Sequence, residues 1–146
     1  AIDQSPPLHI KDLEKFPGLV QWIRKPNRRI KKIYYIIWKN PWMTVSKDTF
    51  IGSMLMKLGI EKYMDHFEEK YPEVNLDTLD PETTLLMFST EPYPFHKKTE
   101  ELSKLPFPSL IVNGEFYSWF GIRSLVFLET QQDLFKPKPV KFKIRF

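Results

Sequence analysis

The sequence has no cysteine in its 146 residues. That absence excludes disulfides, thiolate metal sites and cysteine nucleophiles. Glycine is scarce, with only 5 residues. The one glycine-flanked segment of interest, Gly114 to Gly121, lacks the spacing of a dinucleotide fingerprint or a phosphate loop. No apolar run approaches the roughly 20 residues needed to span a bilayer. The longest, Ile33 to Trp38 and Leu85 to Phe88, are strand-sized. No signal peptide is read, so any export signal is expected to have been removed or to lie outside these residues. The three histidines, His9, His66 and His96, are scattered and have no second ligand at metal-binding spacing, so no metal site is expected.

What is present reads as one globular domain. Apolar residues make up 42% and charged residues 27% of the chain, which suits a packed core rather than disorder. The net charge is +4, and part of the excess sits near the two ends. Arg24, Lys25, Arg28, Arg29, Lys31 and Lys32 form one group; Lys136, Lys138, Lys141, Lys143 and Arg145 form the other. No nucleic-acid motif accompanies either group, so both read as solvated linker or edge strand and no nucleic-acid partner is expected.

Residues 1 to 31 read as a lead-in interrupted by Pro6, Pro7, Pro17 and Pro26, with room for a short helix around Ile10 to Phe16 and another around Leu19 to Arg24. Lys32 to Trp38, KIYYIIW, is β-branched and aromatic and predicts a central strand buried on both faces. Ser46 or Asp48 can cap the next helix, in which Phe50, Ile51, Met54, Leu55 and Leu58 recur at helical spacing until Gly59 stops it. Residues 61 to 84 are irregular: Tyr71 to Val74 suits a short edge strand, and Asn75 a cap for one helical turn through Leu79. Leu85 to Ser89 is the second strand, His96 to Leu105 a charged surface helix and Ser109 to Asn113 the third strand. A last helix is predicted from Ser118 or Trp119 to Phe135, followed by a tail that alternates apolar and basic from Val140. Strand, loop and helix thus recur three times. This predicts an α/β fold: a three-layer, Rossmann-like lobe with a mostly parallel sheet of about four strands flanked by helices.

The chemistry-bearing residues sit at the carboxyl ends of the three strands, the edge at which such sheets bind ligands. NPWMT (Asn40 to Thr44), STEPYPF (Ser89 to Phe95) and GEFYSWFG (Gly114 to Gly121) are aromatic and carry few charges. Prolines stiffen two of these loops. Rigid aromatic loops lose little entropy on gripping a flat, partly apolar ligand. One alternative is that these rings only close the core at the sheet edge. A second is a small hydrolase using Glu91 and Glu115 as acid and base, although no oxyanion hole or nucleophile stands out and Ser118 lacks a nucleophile-elbow setting. A third is a protein–protein module docking through the aromatic edge.

At WKNPWMTVSKDTFIGSML, KYPEVNLDTL, FSTEPYPFHKK and VNGEFYSWFGIRSL, in that order, the chain resembles the carboxyl-terminal lobe of class III periplasmic substrate-binding proteins. These are the helical-backbone receptors of ABC importers for cobalamin and ferric siderophores, and the cobalamin-receptor-like branch is the nearest. The resemblance implies a ligand-binding lobe over residues 32 to 135, residues 1 to 31 as a lead-in or the end of the connecting helix, and a basic tail or edge strand over 136 to 146. It implies binding without catalysis and without a cofactor. The ligand would be a corrinoid or ferric chelate, the partner an importer permease, and the location periplasmic or lipid-anchored and extracytoplasmic. The family's PWMT loop falls on Pro41, Trp42, Met43 and Thr44. Its SEPFPF loop falls on Ser89, Glu91, Pro92, Tyr93, Pro94 and Phe95, with Thr90 inserted. Its DGE-x-FSWYGSR segment resembles Asn113 to Arg123, where Asn113, Phe120 and Ile122 stand in place of Asp, Tyr and Ser. The expected ligand face is Trp42, Met43, Tyr93, Phe95, Phe116 and Trp119. The expected permease contacts, by surface charge, are Glu91, Glu100 and Glu101. Residues 1 to 31 are too short to stand for the family's amino-terminal lobe, so half a cleft and weak binding are expected, with either self-association through the uncovered aromatic edge or burial of that edge by the basic tail.

Overall fold

A computed structural model describes residues 9–119. The expected helix to Phe135 beyond Trp119, and the tail, lie outside the described residues. Among the described residues the sheet has five strands: β1 (Leu19–Arg24), β2 (Lys32–Trp38), β3 (Met43–Thr44), β4 (Thr84–Ser89) and β5 (Ser109–Val112). Their order is β1-β5-β4-β2-β3. The chain is therefore α/β, with a mixed sheet. β2, β4 and β5 run parallel at its centre, while β1 lies antiparallel to β5 and β3 antiparallel to β2.

The three central strands form where their composition predicts them, because β-branched and aromatic residues fit a doubly covered pleated surface. Every residue of β4 and β5 is buried. Alternate residues of β2 feed opposite cores: Ile33 and Tyr35 one, Tyr34 and Ile36 the other. The first core is closed by α1 (Ile10–Leu13), α2 (Phe50–Lys57) and α4 (Gly114–Trp119), through Leu13, Met54, Leu55 and Tyr117. The second is closed by thinner pieces: the 3-10 turns Leu76–Thr78 and Phe95–Lys97 and the single turn α3 (Thr99–Leu102), which contribute Leu76, Phe95 and Leu102.

Several expectations change. Leu19 to Arg24 is a strand, not a helix. Pro17-Gly18 and Lys25-Pro26 bound only six residues, too few for a helix to hold itself in water. The open edge of β5 supplies partners instead, pairing Leu19 with Val112 and Arg24 with Ser109. The lead-in thus contributes an edge strand to the sheet. α1 ends at Leu13 rather than Phe16, and its cap is His9. α2 is capped by Thr49, whose hydroxyl accepts the Gly52 N–H at 2.9 Å, rather than by Ser46 or Asp48. Gly59, at φ 95°, takes the left-handed conformation that stops this helix. Residues 71–74 form no strand of their own but lie along β3 through one bridge, Met43 to Glu73: the Thr44 N–H donates to the Pro72 carbonyl, and the Val74 N–H donates to the Trp42 carbonyl. The predicted helix from His96 to Leu105 is a 3-10 turn and the one-turn α3, since buried Phe95 pins one end and Pro106 closes the other. α4 starts at Gly114, earlier than expected, because the Asn113 side chain accepts the N–H groups of Glu115 and Phe116 at 3.0 and 3.4 Å.

Candidate functional site

Because β2, β4 and β5 are parallel, the loops that leave them emerge at one end of the sheet. The first loop turns through Asn40, at φ 62°, and a cis Asn40-Pro41 bond; the second contains a cis Glu91-Pro92 bond. Hydrogen bonds tie the second loop to the third. The Thr90 N–H donates to the Val112 carbonyl at 3.1 Å, and the Gly114 N–H donates to the Thr90 hydroxyl at 2.9 Å. The Ser89 hydroxyl donates to the Glu91 carbonyl at 2.6 Å and accepts from the Glu91 N–H at 3.2 Å. Buried Tyr35 donates to that same hydroxyl at 3.3 Å. Gly114 is needed for the close approach: a Cβ there would lie 2.2 Å from Ser89 Oγ and 2.8 Å from Glu91 Cγ.

An aromatic column rises from the core to this edge. Phe88 meets Phe95 at a ring separation of 4.9 Å. Phe95 in turn carries Trp42, nearly parallel at 6.2 Å and 13°, and Tyr93 at 4.5 Å. Tyr93 meets Trp38 edge to face at 5.4 Å. Phe95 is fully buried and Trp38 is 40% exposed, so Phe95 supports the surface while Trp38, Trp42 and Tyr93 form it. An open recess of about 460 Å3 adjoins Trp42, lined by Pro41, Trp42, Val74 and Leu76 with the polar residues Glu73, Asn75 and Asp77. Lys39 Nζ lies 5.8 Å from the centre of the Trp42 ring and 2.5 Å from Glu101 Oε1. Its hydrogen bond and charge hold the Glu101 carboxyl below the usual range.

The expected ligand-face residues therefore divide. Trp42, Tyr93 and Phe95 come together. Met43 is half-buried at the start of β3, paired with Trp38 and bridged to Glu73. Phe116 packs on the opposite face of the sheet, beside Tyr117 at 5.1 Å, since the Asn113 cap starts α4 over that core. Trp119 ends α4, and its side chain lies outside the described residues. Trp38 was not among the expected residues. Its signal was a large aromatic at the last position of an apolar strand, with one residue between it and NPWMT.

Glu91, Glu100 and Glu115 are exposed. Glu91 Cγ lies against Gly114, the residue before Glu115, so these two carboxylate-bearing residues start from adjoining loops. Burial pushes the phenols of Tyr35 and Tyr117 well above their ordinary value, so neither is ionised near neutral pH. Of the histidines, His9 caps α1, His66 stands 3.8 Å from Glu68 in solvent, and His96 is exposed in the turn after Phe95. Among the described residues no three His, Asp or Glu side chains gather as a metal site would require, and no helix is long and apolar enough to cross a membrane. Comparison with known proteins finds no matching family model, curated protein or solved structure.

Proposed function

We propose that this chain is the ligand-binding lobe of an ABC importer's substrate-binding protein. It would hold a corrinoid or ferric chelate against its aromatic edge and hand it to a permease without catalysis. The observation that carries this reading is the rigid aromatic column ending in Trp42, Tyr93 and Trp38 where three parallel strands end. Rings already held by Phe95 and by a network of backbone bonds need little ordering before they stack on a flat macrocycle. In this reading the sheet is the centre of a Rossmann-like, three-layer lobe, and Trp38 joins the ligand face. Phe95 acts beneath it, and Phe116 supports the third loop from the opposite core. Among the expected permease contacts, Glu100 is exposed, and Glu101 is half exposed but already shares its carboxylate with Lys39. The location is periplasmic or lipid-anchored.

Tryptophan emission tests the reading. Cyanocobalamin and a ferric trihydroxamate are titrated separately, with absorbance by the probe corrected. One of them should quench emission saturably, and Trp42→Phe or Trp38→Phe should reduce the quench. If neither probe changes emission at near-millimolar concentration, direct binding by this chain is wrong.

A further inference from the structure

The opposite end of the sheet carries the densest cationic run in the described chain, Arg24 to Lys32. β1 ends there, and β2, β4 and β5 begin there. Some of its charge is matched: Lys25 meets Glu14 at 3.6 Å, Arg28 Nε meets Glu82 at 3.3 Å, and Lys32 pairs with Asp65. Arg24 donates only to a neutral group, the Ser103 carbonyl, at 2.9 Å. Arg29 and Lys31 have no ion pair among the described residues. Asp80 stands close enough to Lys31 and Arg28 to feel their charge, but its oxygens are already engaged by the Glu82 N–H and the Thr83 hydroxyl.

A recess of about 270 Å3 opens beside this run, lined by His9, Ile10, Pro26, Asn27, Arg28 and Arg29. Among the described residues no carboxylate lines it. The His9 Nδ1 accepts the Lys11 N–H at 3.2 Å, so the neutral ring carries its proton on Nε2 and has a donor left. Asn27 brings an amide, Arg28 retains guanidinium N–H groups beyond the Nε used by Glu82, and Arg29 brings a second guanidinium. The recess has room for a tetrahedral oxyanion and several waters, at about 30 Å3 per water. A neighbouring recess of about 290 Å3 shares Pro26, Asn27 and Arg28 but includes Glu82, which repels an anion.

We propose that the recess between His9 and Arg29 binds a phosphate-class oxyanion, either free phosphate or the phosphate of a lipid headgroup. Two guanidinium forks suit its oxygens, and charge-assisted bonds are the strong class of hydrogen bond. The site is independent of the aromatic edge and faces away from it.

Amide NMR with inorganic phosphate at constant ionic strength tests the proposal, with co-sedimentation on phosphatidic acid and phosphatidylcholine vesicles as a second arm. Saturable shifts confined to His9, Ile10 and residues 27–29 are expected. Arg29→Gln, at an exposed position, should weaken them at least about tenfold. Lys97→Gln, which removes the same charge at the aromatic edge, should leave them unchanged. Binding to phosphatidic acid but not to free phosphate assigns the headgroup as the source. No response to either probe, or equal losses in Arg29→Gln and Lys97→Gln, overturns the proposal.

Discussion

At the residue scale, two side-chain positions decide how the pieces hold. Gly114 lets the loops after β4 and β5 touch. A methyl there meets Ser89 Oγ and Glu91 Cγ, and the Ser89 hydroxyl is buried and already bonded to the Glu91 backbone. Gly114→Ala is therefore expected to destabilise the chain by about 1–3 kcal/mol in urea unfolding. Asp65 pins the segment after α2 to β2 through Lys32 and the Tyr34 hydroxyl. Burial alone would raise its carboxyl, but the bonds from Lys32 and Tyr34, with the charges of Lys32 and Lys47, outweigh that and hold it below the usual range. A depressed carboxyl contributes stability above its unfolded value of about 3.9, and that contribution is lost as the pH falls through the folded value. The Tm of Asp65→Asn should therefore lie below that of the unaltered chain at neutral pH, with the gap closing below about pH 4. Lys32 and Asp65 remain 48% and 32% exposed, so screening limits the effect to about 1 kcal/mol.

At the element scale, the central strands differ from the edges in what covers them. β4 and β5 are wholly buried, while β1 shows half-buried and exposed residues along its length and β3 has two residues. Amide exchange measured by mass spectrometry or NMR should be slowest in β2, β4 and β5 and faster in β1 and β3, because edge strands open without unfolding the core. The same contrast explains which elements could be read in advance. KIYYIIW, LLMFS and SLIV are long enough and apolar enough to specify a strand by themselves. LVQWIR mixes a polar pair into an apolar run, and nothing local states that an open edge of β5 waits for it. The start of α4 was legible in principle, since Asn113 is a good cap, but Gly114 beside it reads as a turn.

At the scale of the whole molecule, parallel strands give the sheet two unlike ends. The aromatic loops leave one end, and the basic run from Arg24 to Lys32 occupies the other. The two proposed sites have no lining residue in common and lie at opposite ends of the same strands. Saturating phosphate should leave the concentration for half-maximal tryptophan quenching by a corrinoid or ferric chelate unchanged. A paired titration by fluorescence reads this directly.

The sequence by itself determined the α/β class, the three central strands and the clustering of aromatics just after them, because composition and short-range periodicity decide those features. Only the tertiary structure decided the rest. It recruited Leu19–Arg24 as a strand, since pairing partners distant in sequence outweigh weak local preference. It also divided the aromatic residues between two faces. Trp42, Tyr93 and Phe95 pack over one core and Phe116 over the other, because side chains on opposite sides of a pleated sheet can be neighbours in sequence pattern yet never meet.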